Sequence, residues 1–246
     1  MKPDQHYTDP RLVSIYDYCN PRGIDTDFFV ELAGDICAKN IVDLGCGTGL
    51  LARELYQPGR SIVGVDPSQE MIAYAKSQPG ANNVDWKNGD ASSIGMRDAD
   101  LIIMSGNVSQ VFLRDSDWLS TLNYFYKSLR PRGILVFESR NPEAQAWKTW
   151  VPEVSFKSVP SQYGSIETWL ELVDVSRNLV RFQGHYRFTQ TGEVVIADST
   201  LRFRSLSEFS ASLTRAGFSL KNTFGSWRKK AFESSSPVMI IAAERT

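Results

Sequence analysis

The residues best placed to do chemistry follow a short apolar run, Ile41-Val42-Asp43-Leu44, and form a glycine-rich turn. Such a run with β-branched residues is typical of a buried parallel strand. Glycines occupy positions 45, 47 and 49, and glycine lets the backbone adopt positive φ and lets a ligand approach where a Cβ would clash. Apolar residues then recur at helical spacing from Leu50. The pattern therefore predicts a strand, a turn and a helix whose N-terminus faces the polar part of a nucleotide-like ligand.

The spacing of the glycines distinguishes two classes of nucleotide site. A dinucleotide fingerprint has the pattern G-x-G-x-x-G, whereas here the third glycine comes one position earlier and Asp43 precedes the first glycine by two positions. The spacing therefore disfavours a nicotinamide-dependent dehydrogenase. From this stretch alone, a glycine-rich turn that binds no ligand remains the alternative.

A second acidic residue, Asp66, ends the next predicted strand, which starts at Ser61, and lies 17 positions after Gly49. A carboxylate at this point can accept hydrogen bonds from both ribose hydroxyls of an adenosine. Since a helical pattern starts at once with Pro67 and Ser68, Asp66 is also placed to cap that helix. The two roles are compatible, and we expect Asp66 to bind the ribose.

The order of these motifs resembles that of the class I S-adenosylmethionine-dependent methyltransferases. In that family the pattern Asp-x-Gly-x-Gly-x-Gly, here residues 43–49, packs against the methionyl part of the cofactor. Asp90 and Ala91 follow a third strand and match the segment that binds adenine in that family. There the carboxylate accepts a hydrogen bond from the adenine amino group, and the N–H of the next residue donates to a ring nitrogen. The resemblance covers about residues 41–140 and, more loosely, 205–244.

The resemblance implies S-adenosylmethionine as the cofactor and places its binding residues along one rim of the sheet. Ser105 ends the fourth strand, and Met71 lies where it can pack on adenine, a core methionine being the alternative. An N-terminal segment closes the site in this family, so Tyr16 is expected near the sulfonium, which an aromatic face attracts; an ordinary packing role is the alternative. The complete expected set is Tyr16, Asp43, Gly45, Cys46, Gly47, Asp66, Pro67, Met71, Asp90, Ala91 and Ser105.

The fold implied is α/β: a doubly wound, Rossmann-like sheet of seven strands in the order 3-2-1-4-5-7-6, with strand 7 antiparallel. The fifth strand is expected at Ile134 to Glu138, and two further strands near residues 218–224 and 237–243 complete the sheet. A helix from Leu206 to Arg215 precedes those last two strands.

Between residues 154 and 204 the apolar pattern changes to a period of two. Val180, Phe182, Tyr186 and Phe188 alternate with polar residues, which predicts a half-buried antiparallel strand. We therefore expect a three- or four-stranded antiparallel sheet inserted between the fifth strand and the last helix. The expected division is a cofactor-binding core with N-terminal lid helices over 1–150, an inserted β substrate or lid subdomain over 151–204, and the rest of the core sheet over 205–246.

Composition limits the classes of partner. The chain has 246 residues, 42% hydrophobic and 22% charged, and a net charge of −1, which is ordinary for a globular protein and provides no basic field for nucleic acid or a membrane. Three cysteines without metal-ligand spacing fit a reducing cytoplasm, and Met1 to Asp4 do not open a signal peptide. We therefore expect a cytoplasmic protein without a metal. The sequence does not decide its oligomeric state, and a dimer is one of the alternatives.

The inserted sheet resembles the substrate lids of small-molecule N- and O-methyltransferases, which implies methyl transfer to a small N or O acceptor. The alternatives are a non-catalytic protein that binds S-adenosylmethionine, or a methyltransferase acting on RNA or protein, although residues 105–108 lack the Asn/Asp-Pro-Pro-Tyr/Phe motif of such enzymes. His185 is the candidate general base, the alternative being a solvated face of its strand. His6 is interpreted as a surface residue of an N-terminal helix.

Overall fold

Two β-sheets organise the chain, which a computed structural model describes for residues 3–96 and 98–246. The expectation about the start of the chain rests partly on Met1 and Lys2, which lie outside the described residues. The strands are β1 (Asn40–Leu44), β2 (Ser61–Asp66), β3 (Val84–Asn88), β4 (Ala99–Met104), β5 (Leu129–Arg140), β6 (Lys157–Ser161), β7 (Gly164–Ser176), β8 (Leu179–Phe188), β9 (Val194–Arg202), β10 (Phe218–Phe224) and β11 (Val238–Arg245).

The first sheet has seven strands in the order β10-β11-β5-β4-β1-β2-β3. Strands β1 to β5 are parallel, and β11 pairs antiparallel with both β5 and β10. The predicted order 3-2-1-4-5-7-6 with an antiparallel seventh strand is confirmed. Strand β5 is longer than the predicted 134–138. It starts at Leu129, which pairs with Ala99 of β4, and its pairing with β11 continues to Arg140, opposite Val238.

Helices cover both faces of this sheet. They are α1 (Gln5–Thr8), α2 (Pro10–Cys19), α3 (Ile24–Asp35), α4 (Leu50–Glu54), α5 (Gln69–Ser77), α6 (Asp115–Ser128), α7 (Pro152–Ser155) and α8 (Leu206–Arg215). On one face Trp118 and Phe125 of α6 pack with Phe137 of β5, and on the other Phe28 and Phe29 of α3 are buried. Fully burying such a side chain contributes about 1.5–3 kcal/mol. Packing on both faces fixes the sheet that carries the site.

The second sheet is the predicted insertion and has four antiparallel strands in the order β6-β7-β8-β9. The N-terminal helix α2 packs on it through Leu12 and Ile15, which form a small core with Ile166, Phe188 and Val195. Because the carboxyl ends of β1, β2, β4 and β5 lie at one rim of the first sheet, a crevice opens there. Among the described residues, no helix is both long and apolar enough to cross a membrane.

Candidate functional site

The glycine-rich turn after β1 has an open side at Gly47. All three glycines have positive φ, 76°, 52° and 76° in order. A Cβ on Gly45 would lie 2.4 Å from Val108 Cγ2 and one on Gly49 would lie 2.3 Å from Trp86 Cη2, whereas one on Gly47 would meet only Met71 Sδ, at 4.0 Å. The outer two glycines are therefore required by packing, and the middle one faces the crevice.

Asp66 joins this turn to the end of β2. Its Oδ2 accepts a hydrogen bond from the N–H of Gly47 at 2.9 Å, and its Oδ1 accepts one from the N–H of Ser68 at 2.8 Å. Burial raises the pKa of the Asp66 carboxyl above its ordinary value, and the two N–H donors oppose that rise. Since an ionised carboxylate has about four acceptor positions, two remain for a ligand.

The turn and Asp66 line a cavity of about 710 Å³, within the range of small-molecule sites. It reaches from the ends of β1 and β2 to the second sheet. Nine of the eleven residues expected to bind the cofactor line it: Tyr16, Gly45, Gly47, Asp66, Pro67, Met71, Asp90, Ala91 and Ser105.

The other two expected residues, Asp43 and Cys46, are buried and do not line the cavity. Neither carboxylate oxygen of Asp43 has a hydrogen-bond partner in the described part of the chain. Burial, with smaller effects from Asp66 and Glu138, raises the pKa of Asp43 to about 7. Burial also raises the pKa of the Cys46 thiol well above its ordinary value, so the thiol is protonated at physiological pH.

Glu138 is a buried acidic residue that was not predicted to belong to the site. Its Oε1 accepts from the N–H of Asn107 at 2.6 Å, and its Oε2 has no partner among the described residues. Burial raises the pKa of Glu138 to about 7, against the opposing hydrogen bond from Asn107. Like Asp43 and Asp66, it ends a buried apolar run, so the signal was present in the sequence.

Arg140, at the end of β5, lines the cavity and stands outside the set of residues expected to bind the cofactor. Its Nη1 donates to Gln110 Oε1 at 2.9 Å, and the guanidinium lies 5.5 Å from the ring centre of Trp150, which also lines the cavity. Among the described residues, no carboxylate oxygen lies within salt-bridge distance of Arg140. Burial lowers the pKa of Arg140, but a guanidinium stays charged in proteins. The cavity wall therefore contains a cation with unused donors.

The far end of the cavity is aromatic and is closed by the N-terminal helices. Tyr7 and Tyr16 come from α1 and α2, and Phe182 and Tyr186 come from β8. Burial raises the pKa of Tyr16 to about 12, so its hydroxyl is neutral at physiological pH. The expectation that an N-terminal segment lies over the site agrees with this arrangement.

His6 also lines this end of the cavity, which corrects its interpretation as a surface residue. Its Nδ1 lies 2.6 Å from the hydroxyl oxygen of Tyr186, 180 positions away in the chain. No local pattern could have revealed this contact, because it depends on the packing of α1 against β8.

His185 lies on the other face of the second sheet. It stacks on Trp169 with ring centres 4.9 Å apart and planes 10° from parallel, and it is not among the residues that line the cavity. Trp169 is its direct partner across strands β7 and β8. This contact buries the imidazole, so the expected solvated face is wrong at this position. The geometry gives no support to His185 as a general base.

Together these residues fit a nucleoside-bearing ligand: an open glycine at the turn, a carboxylate with two free acceptor positions, and apolar Pro67 and Met71 beside it. In the described part of the chain, no group of three or more His, Cys, Asp or Glu side chains is arranged to hold a metal ion.

Comparisons with known proteins agree with this geometry. Residues 41–133 match a family model described as a methyltransferase domain. The glycine/sarcosine N-methyltransferase of Halorhodospira halochloris is 28% identical over 155 residues, which are 57% of this chain and 57% of that protein. The match thus spans little more than half the length of this relative.

Solved structures share the fold at low identity. An S-adenosylmethionine-dependent methyltransferase from Clostridium acetobutylicum superposes with a TM-score of 0.77 at 16% identity, over 94% of this chain and 96% of that one. CalS10, an amino pentose methyltransferase from Micromonospora echinaspora, gives 0.68 at 16% identity, over 93% and 94%. The match of residues 41–133 to the methyltransferase domain and the fold shared with these structures both support the resemblance to class I S-adenosylmethionine-dependent methyltransferases.

Proposed function

We propose that this chain binds S-adenosylmethionine in the cavity and catalyses methyl transfer to a nitrogen or oxygen of a small-molecule acceptor. One observation carries the proposal: the glycine turn and Asp66 open into the same cavity as Tyr16, Phe182 and Tyr186. A cofactor at one end and an acceptor at the other would therefore meet inside a single enclosure.

The cofactor end is proposed to use the residues expected from the sequence. Asp66 has two acceptor positions left for the ribose hydroxyls, and Gly47 leaves room for the methionyl part beside the turn. Asp90 and Ala91 would bind adenine, with Pro67 and Met71 packing on its faces. Asp43 and Glu138 are buried in β1 and β5, and in their ionised forms they would favour a positively charged group at this end.

Methyl transfer requires the protein mainly to position the acceptor and to exclude water. Bound S-adenosylmethionine supplies an electrophilic methyl group. The chain must align the acceptor atom with that group and keep water out. Alignment alone can lower the barrier by several kcal/mol, because it removes the entropy cost of bringing the two groups together. We propose that Tyr7 and Tyr16 of the N-terminal helices and Phe182 of β8, which line the cavity, align the acceptor and exclude water.

We further propose that the acceptor carries an acidic group, which Arg140 binds. Its guanidinium has free donors at the cavity wall and no carboxylate partner among the described residues. A buried cation is stabilised when an anion arrives, and Arg favours carboxylates because it can bind them through two parallel hydrogen bonds. The name of the glycine/sarcosine relative points to acceptors of this chemistry.

The cofactor proposal is tested by calorimetry with S-adenosylhomocysteine. We expect binding by the wild-type chain and a loss of at least tenfold in affinity in Asp66→Asn, because an amide cannot accept all the hydrogen bonds that the carboxylate accepts. Asp85→Asn is the matched control, since Asp85 lies on the neighbouring strand β3 with its side chain 62% exposed. Preference for NAD over S-adenosylhomocysteine would support the dehydrogenase alternative instead.

Catalysis is tested by an acceptor screen that measures S-adenosylhomocysteine release. Paired compounds would differ only in the acidic group, for example glycine against glycinamide. We expect turnover with small amines or alcohols that carry a carboxylate, and a KM at least tenfold higher for them in Arg140→Met. Binding of the cofactor without turnover on any acceptor would favour a non-catalytic protein that binds S-adenosylmethionine. Turnover only on RNA or protein would favour a methyltransferase that acts on a macromolecule.

A further inference from the structure

The middle of β8 contains a glycine, and the side chain of another residue occupies the space that a Cβ would need at this position. Gly184 lies inside a regular strand, where glycine is normally unfavourable and often marks a close approach. A Cβ on Gly184 would lie 2.3 Å from Cε1 and 3.0 Å from Nε2 of His6. The strand therefore leaves a space that the imidazole of α1 occupies.

In this space the two ring nitrogens of His6 have different surroundings. Nδ1 lies 2.6 Å from Tyr186 Oη, whereas Nε2 is enclosed and has no hydrogen-bond partner in the described part of the chain. A buried N–H without an acceptor is rare in folded proteins. The proton of the neutral imidazole is therefore placed on Nδ1, which donates to Tyr186.

This tautomer determines what the Tyr186 hydroxyl can do. Because Tyr186 Oη accepts from His6, the hydroxyl keeps its own proton free for another acceptor, and both residues line the cavity. Burial raises the pKa of Tyr186, so the hydroxyl remains a neutral donor. Phe182, on the same face of β8, continues this wall to Trp150, with ring centres 4.6 Å apart.

Three contacts hold the segment that carries His6 across the cavity. Besides the bond to Tyr186, the Ser199 hydroxyl of β9 donates to an Asp4 carboxylate oxygen, and the Ser68 hydroxyl donates to the carbonyl of Tyr7. The first two contacts join the segment to the second sheet and the third joins it to the start of α5. His6 thus reaches Tyr186 only while this segment spans both parts.

We propose that His6 is a positioning residue that fixes the Tyr186 hydroxyl as a hydrogen-bond donor to an oxygen of the methyl acceptor. The inference rests on the proposed function, since it concerns the acceptor end of the same cavity. His6 itself takes no proton from the acceptor. The acceptor end is complete only when α1 lies over the second sheet, so recognition of the acceptor depends on this segment.

The tautomer is tested by NMR on the full chain with ¹⁵N-labelled histidine. The chain has two histidines, so a long-range ¹H–¹⁵N correlation spectrum with His6→Gln assigns both. We expect the proton of His6 on Nδ1, and a shift of its ring signals in Tyr186→Phe and Gly184→Ala. Gly34→Ala is the control, because a Cβ there meets nothing within 4 Å. A proton on Nε2 in the wild-type chain would overturn the proposal.

The kinetic test uses an acceptor found by the screen. His6→Leu should raise the acceptor KM at least tenfold and leave the affinity for S-adenosylhomocysteine within twofold, whereas His6→Asn, which keeps an N–H donor, should restore most of the loss. An unchanged acceptor KM in His6→Leu would overturn the proposal. If the wild-type chain binds no S-adenosylhomocysteine, the proposed function fails, and the tautomer still decides the role of His6.

Discussion

At the scale of single residues, the feature with the largest physical consequence is the pair of buried carboxyl groups Asp43 and Glu138. Both are fully enclosed, both have at least one oxygen without a partner among the described residues, and burial raises the pKa of each to about 7. Buried carboxylates without partners are unfavourable when ionised. In their ionised forms these two groups place negative charge near the cavity and lower the stability of the folded chain.

This arrangement predicts a pH dependence of stability. Because the folded pKa of Asp43 lies above its ordinary value of 3.8, the folded chain holds the proton more tightly than the unfolded chain. The free energy of unfolding should therefore fall as pH rises from about 4 to about 7, by up to about 1.4 kcal/mol per pH unit for one proton. Urea unfolding of the ligand-free chain at pH 5.5, 6.5 and 7.5 measures the slope.

The Asp43→Asn variant should reduce that slope, since it removes one of the two groups. Asp85→Asn, on the exposed edge strand β3, should leave it unchanged. Equal slopes in wild type and Asp43→Asn would mean that Asp43 does not titrate in this range.

A second prediction at this scale concerns His185. Because it stacks on Trp169 away from the cavity, His185→Ala should leave turnover and the affinity for S-adenosylhomocysteine unchanged, and should cost about 1 kcal/mol of stability through the lost stacking. Steady-state kinetics with any acceptor and urea unfolding would measure the two effects. A hundredfold loss of turnover would restore His185 as the general base.

At the scale of elements, Trp86 of β3 determines the position of the glycine turn. Its ring lies where a Cβ on Gly49 or on Gly64 would be, at 2.3 Å and 2.7 Å, and its indole N–H donates to the carbonyl of Ala81 at 2.9 Å. An aromatic side chain on the third strand thus holds both the turn after β1 and the middle of β2. The turn is rigid because it is packed from behind.

Gly49→Ala should therefore destabilise the chain by more than its backbone strain alone. A left-handed alanine costs roughly 1–2 kcal/mol, and the overlap with Trp86 adds roughly 1–3 kcal/mol. Gly59→Ala is the matched control, because Gly59 also has positive φ, 89°, but nothing lies within 4 Å of its Cβ position. Urea unfolding measures the free energy of unfolding of both variants. Equal losses of stability in the two would show that Trp86 moves aside at no cost.

Local patterns predicted the elements well where burial follows from the sequence itself. The apolar runs ending in Asp43 and Asp66, and the alternation around Phe182, gave strands of the correct type because each run fills a face that must be buried. The predictions were wrong for residues that are buried by a partner far away in the sequence. Trp169 covers His185 across a hairpin, and Tyr186 receives His6 from the other end of the chain. Arg140 stood outside the expected set of cofactor-binding residues, since charged side chains are normally exposed.

At the scale of the whole molecule, the cavity lies between two parts of the chain that are joined by hydrogen bonds and ion pairs. One side is the rim of the seven-stranded sheet, and the other is the second sheet with α1 and α2. Ser68 donates to the carbonyl of Tyr7, Thr48 donates to Asp17, and Arg202 and Arg204 form ion pairs with Asp115. A ligand that touches both sides should therefore stabilise the molecule as a unit, since it binds the folded state alone.

This predicts a concentration-dependent rise in thermal stability with S-adenosylhomocysteine. At a ligand concentration of 100 Kd the stabilisation is about 2.7 kcal/mol, which for a chain of this length corresponds to a rise of roughly 5–10 °C in Tm. Differential scanning calorimetry over a ligand series measures the rise, and Asp66→Asn should show a smaller one at the same concentrations.

5′-Methylthioadenosine, which lacks the methionyl part, tests whether the turn at Gly47 contributes to binding. It should give a smaller rise in Tm than S-adenosylhomocysteine at equal concentration. Equal shifts for both ligands would confine recognition to the nucleoside end of the cavity and would remove the glycine turn from the proposed site.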